Sequence, residues 1–167
     1  VVILISLTIQ IVADAKRVVN KMQPPSEFRT IKQPNGSRLC GVAVAAMAVG
    51  KGLRYVLNRI NTVSWPDGLQ YARTCDVLEF LGSHGIFCGL ICEPQRRLRS
   101  GDGMLFEMTL DSRPCIFTVP SETFEGRFHY VFWDGQRVRD PNPTKPETTR
   151  IEDYDVVSEI IPLTYIV

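Results

Sequence analysis

Histidine is almost absent from this chain, with only His84 and His129 among 167 residues. Any chemistry that needs an imidazole base must use one of these two. The same scarcity argues against zinc, because the five cysteines at 40, 75, 88, 92 and 115 contain no repeated pair at metal-ligand spacing. Cys88 and Cys92 lie four apart, with no second pair to complete a tetrahedral shell. No metal or cofactor is expected. An excess of one charge is lacking too: 19 basic and 18 acidic side chains leave a formal net charge of +1. That removes the broad positive footprint of a nucleic-acid binder. The densest basic stretch, Arg96-Arg97-Leu98-Arg99, reads as a solvated loop or helix end. Cysteine is too sparse for a secreted disulfide scaffold, so the thiols read as buried and free, and a reducing, cytoplasmic compartment suits them best. The opening apolar run VVILISLTIQIV has twelve residues, fewer than the roughly 18 to 20 of a membrane span.

What is present divides into an appendage, residues 1–25, and one main domain, residues 26–167. The chain starts at Val1 rather than methionine, so an upstream part is expected to have been removed or left out. The β-branched residues of the opening run suit a strand or an anchoring segment laid on a partner chain or a membrane. Asp14 to Met22 reads as a short helix ended by Pro24-Pro25. Pro34, Asn35, Gly36 and Ser37 then mark a loop. From Cys40 the sequence CGVAVAAMAV is apolar on nearly every face, the pattern of a helix buried through a domain, with Gly50 to Gly52 ending it. Spacing predicts two further helices over 53–61 and 75–84, and a short one over about 103–111. The second half changes period. Segments beginning at Ile86, Pro114, Phe128 and Gln136 read as strands, and the stretch from Val156 to Val167 adds one or two more, placed near an edge because of Pro162. Helices followed by an antiparallel sheet make an α+β fold.

Cysteine acts as a nucleophile through its thiolate, which a helix N-terminus favours because unpaired N–H groups and aligned peptide dipoles attract negative charge. Cys40 holds that position, and Gly41 behind it would let a substrate backbone approach. Of the two candidate bases, His84 lies in Gly-Ser-His-Gly at a helix end, where histidine commonly serves only the last carbonyls. His129 lies in FHYVFW, followed by Asp134-Gly135 and QRVRD. Asp-Gly between alternating apolar residues predicts a two-residue hairpin turn, which would set Trp133 against Gln136 and His129 directly against Asp140. A carboxylate there can hold the imidazole and stabilise it once protonated. Phe128, Tyr130 and Phe132 would form the core-facing stripe, and Pro141 would stop the second strand. The bland alternative is an ordinary cross-strand pair on a solvated face.

In order along the chain, Gln33, Cys40-Gly41, Arg113-Pro114, His129-Tyr130-Val131 and Asp140-Pro141 resemble the papain-like cysteine peptidases, most closely the bacteriocin-processing, double-glycine branch. The resemblance covers roughly residues 30–142. It implies a papain-like fold whose central helix carries the nucleophile, with Cys40, His129 and Asp140 as the catalytic triad and a peptide or protein as substrate, including the chain's own polyprotein if the domain is viral. It further implies that Gln33 and the backbone N–H of Cys40 form the oxyanion hole. Gln33 stands seven positions before Cys40 where the family usually has six, and Leu39 occupies a position that is often polar, so Asn35 and Ser37 stay open as alternative donors. An inactive structural or binding protein that keeps the peptidase fold is the competing reading.

Overall fold

Alanine, valine and methionine on every side leave a helix no face to offer to water, and the chain buries it accordingly. Helix α1, Cys40–Val49, has every residue from Gly41 to Val49 buried. Each buried Val or Met contributes on the order of 1.5–3 kcal/mol relative to exposure. Gly50 stops the helix in the left-handed conformation, φ 63°, that a side chain would resist. The computed structural model describes residues 23–89, 91–92, 113–154 and 159–166. The expected anchor and helix within residues 1–22, the basic stretch 96–99 and the short helix at 103–111 lie outside those residues.

Two short helices, α2 (Leu53–Leu57) and α3 (Thr74–Ser83), pack on α1. Between them a small hairpin, β1 (Val63–Ser64) with β2 (Gln70–Tyr71), interrupts a region in which the sequence signals no strand. Its strands are too short to show a period. Helix α2 ends earlier than the predicted 61, whereas α3 matches its predicted span to within one residue at each end. His84 caps α3, donating from Nδ1 to the Phe80 carbonyl at 2.9 Å. That is the helix-end role its position predicts.

The second half forms an antiparallel sheet of β3 (Ile86–Cys88), β4 (Ile91–Cys92), β5 (Cys115–Pro120), β6 (Phe128–Trp133), β7 (Val138–Arg139) and β8 (Glu159–Tyr165). Its order is β3-β8-β5-β6-β7, with β4 also on β8. A mixed helical and antiparallel α+β fold is therefore what the chain adopts. Pro162 does not put β8 at an edge. The strand runs between β5 on one side and β3 and β4 on the other, and the proline falls at the break where Gly89 N–H bonds the Pro162 carbonyl at 3.1 Å. The ladder is interrupted there, so the missing donor has no partner to lose.

Both faces of the sheet centre are buried. Ile116, Phe132, Ile161 and Leu163 join α1 in the main core, while Cys115, Phe117, Val119, Val131, Trp133 and Val138 form a second cluster with Ile151, Tyr154 and Ile160. Of the expected stripe on β6, Tyr130 and Phe132 reach the main core, but Phe128 is 64% exposed.

The predicted two-residue turn is not the one formed. Trp133 pairs with Val138 and Phe132 with Arg139, which leaves residues 134–137 as a four-residue loop. The cause is the Asp134 side chain, whose Oδ1 accepts from Gln136 N–H at 2.9 Å and Arg137 N–H at 2.8 Å, while Oδ2 pairs with Arg139 Nε at 2.7 Å. An aspartate closing its own turn competes with the tighter Asp-Gly geometry. His129 therefore does not stand directly opposite Asp140.

Candidate active site

The shift in register is two residues, an even number, so it preserves which face each side chain occupies. On that face His129 and Asp140 become diagonal neighbours, still within reach of a long side chain. His129 Nε2 donates to Asp140 Oδ1 at 2.6 Å. The carboxylate side chain is 2% exposed and the imidazole 12%.

Asp140 sits directly after β7, before Pro141, and three donors converge on it. Besides His129, Asn142 N–H reaches Oδ1 at 2.7 Å and the Tyr154 hydroxyl reaches Oδ2 at 2.7 Å. Burial alone would raise this carboxyl, but the hydrogen bond and charge of His129, with Asn142 and Tyr154, hold it below the usual carboxylate range. For His129, burial pushes the imidazole down. Its hydrogen bonds to Asp140 and to Cys40 outweigh that and bring it up to about 9. With Nε2 committed to Asp140, Nδ1 is the ring nitrogen left for the thiol.

Cys40 opens α1. Leu39 in the N-cap position offers no side-chain cap, so the first N–H groups of the helix are not taken by a capping oxygen. Gly41 does not face a substrate. A Cβ placed there would come within 3.2 Å of the Ala72 carbonyl and 3.4 Å of Val77, so this glycine lets the approach to α3 lie against α1. The close approach serves packing.

Gln33 lines the same cleft as Cys40, His129 and Asp140, a space of about 310 Å³. Its Nε2 donates to the Ser37 carbonyl at 3.2 Å, which leaves one N–H of the amide uncommitted, and its Oε1 is buried without a partner. The Gln33 backbone N–H bonds the Pro141 carbonyl at 2.9 Å, tying the glutamine to the segment that carries Asp140. Ser37 also lines the cleft, with an unpartnered Oγ, whereas Asn35 does not. His84 lies outside it.

Two contributors carry no signal in the sequence. Lys32 points its ammonium at four carbonyls, those of Asp140 (2.9 Å), Asn142 (3.0 Å), Lys145 (2.9 Å) and Pro146 (2.9 Å), so one cation holds the loop that follows β7. Tyr154 comes from the far cluster, edge-on to Phe117. Neither a lysine in a loop nor a tyrosine near the end of the chain has a spacing that announces such a task.

Of the remaining thiols, Cys115 is buried, Cys88 half-buried and Cys75 exposed, so the expectation of buried free cysteines fails for Cys75. Burial pushes the Cys88 thiol up to about 11 and Cys115 well above its ordinary value. Among the described residues, no group of His, Cys, Asp and Glu could hold a metal ion, and no helix is long and apolar enough to cross a membrane.

No protein-family model matches the sequence, and comparison with curated proteins gives no match. Among solved structures the fold is similar to the crystal structure of a double glycine motif protease from an AMS/PCAT transporter, in complex with the leader peptide. The likeness has a TM-score of 0.50 and 17% sequence identity over 86% of this chain and 99% of that one. At that identity the two share a fold, which for this chain is a peptidase-like one.

Proposed function

We propose that the chain is a cysteine peptidase that cleaves a peptide bond through an acyl-enzyme. The observation that carries the reading is the convergence of Cys40, His129, Asp140 and Gln33 on one cleft, with the imidazole held at 2.6 Å by a buried carboxylate. The likeness to a protease solved with a leader peptide supports a peptide as substrate.

In this reading His129 Nδ1 accepts the Cys40 proton and the thiolate attacks the scissile carbonyl carbon. Negative charge moves to the carbonyl oxygen, which receives hydrogen bonds from the free Gln33 N–H and the Cys40 backbone N–H. A donor of this kind is worth about 3–4 kcal/mol in the transition state. As the carbon–nitrogen bond breaks, the imidazolium returns its proton to the leaving amine, and a thioester on Cys40 remains. Water then loses a proton to His129, attacks the thioester and releases the carboxylic acid and the free thiol. Asp140 keeps Nε2 protonated and Nδ1 turned toward the sulfur throughout.

The test is the pH dependence of iodoacetamide labelling, read cysteine by cysteine, in wild type and His129→Ala. Fast labelling of Cys40 near pH 6 that disappears in the variant supports the reading. Labelling of Cys40 no faster than that of exposed Cys75 ends it, and the inactive peptidase fold takes its place.

A further inference from the structure

The same cleft is lined by a cluster of rings and cations that the proposed chemistry does not use. The guanidinium of Arg38 lies between two rings, 4.6 Å from the centre of Trp65 and 4.4 Å from that of Phe124. A second guanidinium, Arg127, lies 4.0 Å from the same Trp65 ring. Two cations on one indole repel each other, although each gains from the ring's negative face. One carboxylate answers them: Asp67 pairs with Arg38 at 2.8 Å.

Other cations lining the cleft are matched. Arg73 pairs with Asp76 at 2.8 Å and Lys145 with Glu122 at 2.7 Å. Arg127 has no carboxylate partner among the described residues. Beside it, Arg38 Nε and Ser37 Oγ are buried with nothing to bond. A buried donor left in that state is costly, and a bonding ligand would relieve it. Excess positive charge, flat apolar walls and an unanswered donor together describe a site for an acidic group.

We infer that the part of the cleft lined by Trp65, Phe124 and Arg127 is a subsite for an aspartate or glutamate side chain of the peptide that the proposed peptidase would bind. The carboxylate pairs with Arg127 beside the Trp65 ring. Arg127 and Arg38 are specificity residues in this arrangement, and neither takes part in breaking the bond.

The inference rests on the peptidase reading only for the substrate being a peptide, and its first test needs no turnover. The chain has two tryptophans, Trp65 and Trp133, so the Trp65 indole N–H signal can be assigned with Trp65→Phe and followed by heteronuclear NMR. N-acetyl-glutamate N-methylamide should shift that signal saturably. The effect should weaken at least fivefold in Arg127→Gln or on raising NaCl from about 50 to 500 mM, where the Debye length falls. N-acetyl-glutamine N-methylamide should leave the signal in place. Equal shifts from the two compounds, or none from either, would overturn the subsite.

A second test digests a mixed peptide library. The subsite requires at least fivefold enrichment of Asp and Glu at one fixed position from the cut, and a ratio of acidic to amide residues that falls toward one in Arg127→Gln. Equal use of both residue types by wild type counts against it. Absence of any Cys40-dependent cleavage rejects the peptidase reading, and the NMR result then decides the subsite separately.

Discussion

Lys32 hydrogen-bonds Asp140 through the main-chain carbonyl, and the charge of the nearby carboxylate attracts the same ammonium. Nζ donates to the Asp140 carbonyl at 2.9 Å, while the carboxylate is taken by His129 and Tyr154. Three further carbonyls, of Asn142, Lys145 and Pro146, share the same ammonium. Lys32→Met should therefore cost about 2–3 kcal/mol in chemical denaturation, because several carbonyls lose a charged donor at once. Amide hydrogen exchange should rise in residues 140–146 before it rises in α1. Lys32→Arg should not restore stability, since a planar fork cannot point its donors at carbonyls converging on one atom.

Replacing the carboxylate tests what holds the imidazole. In Asp140→Asn the largest influence left on His129 is burial, which lowers it, while the strongest opposing hydrogen bond is weakened. NMR titration should show His129 moving from about 9 toward or below 6.5, and any peptidase activity at neutral pH should fall at least about a hundredfold. A histidine still titrating near 9 would mean that Asp140 is not its anchor.

The sign of the pH effect on stability follows from the same pair. His129 is raised in the folded state, to about 9 from 6.5. Its contribution is fully present below pH 6.5 and is lost as pH rises through about 9. For this shift it amounts to about 3 kcal/mol. Asp140 is lowered, so its contribution is present above the ordinary carboxylate value and fades as pH falls through the folded one. Urea denaturation of wild type against His129→Gln should show the gap between them narrowing from pH 6.5 to pH 9.5. A constant gap would exclude the charged pair.

Gln33→Ala should lower kcat by about a hundred- to a thousandfold with little change in KM if its amide meets the oxyanion. Ser37→Ala should do far less. The reverse order would move the donor role to Ser37.

How far the sequence speaks depends on what sets each feature. Helix α1 is legible because CGVAVAAMAV leaves no polar face, and α3 because its apolar spacing agrees with Gly85, which follows the His84 cap at a left-handed φ of 74°. The sequence points to the meeting of His129 and Asp140 through a turn that does not form. The two residues still share a face because the difference in register is even, and their side chains span the diagonal. Pro162 misleads in the other direction, since a proline rule written for unbroken ladders does not apply where the neighbouring strand is itself interrupted. Gly41 shows the same limit: that a glycine permits close approach is legible, but whether a substrate or Ala72 approaches is a tertiary matter. Lys32 and Tyr154 carry no period, spacing or turn chemistry, and only the folded chain brings them to Asp140.

The burial of α1 has a mechanical consequence. Gly41 to Val49, every residue of α1 after Cys40, lies inside the core, so the sulfur is mounted on a closely packed helix that cannot shift without repacking that core. The imidazole stands near the start of β6, a strand paired with β5 and β7, and the aspartate holding it lies in a segment fastened by one lysine. The cysteine thus serves as the fixed point against which the His129–Asp140 pair is set.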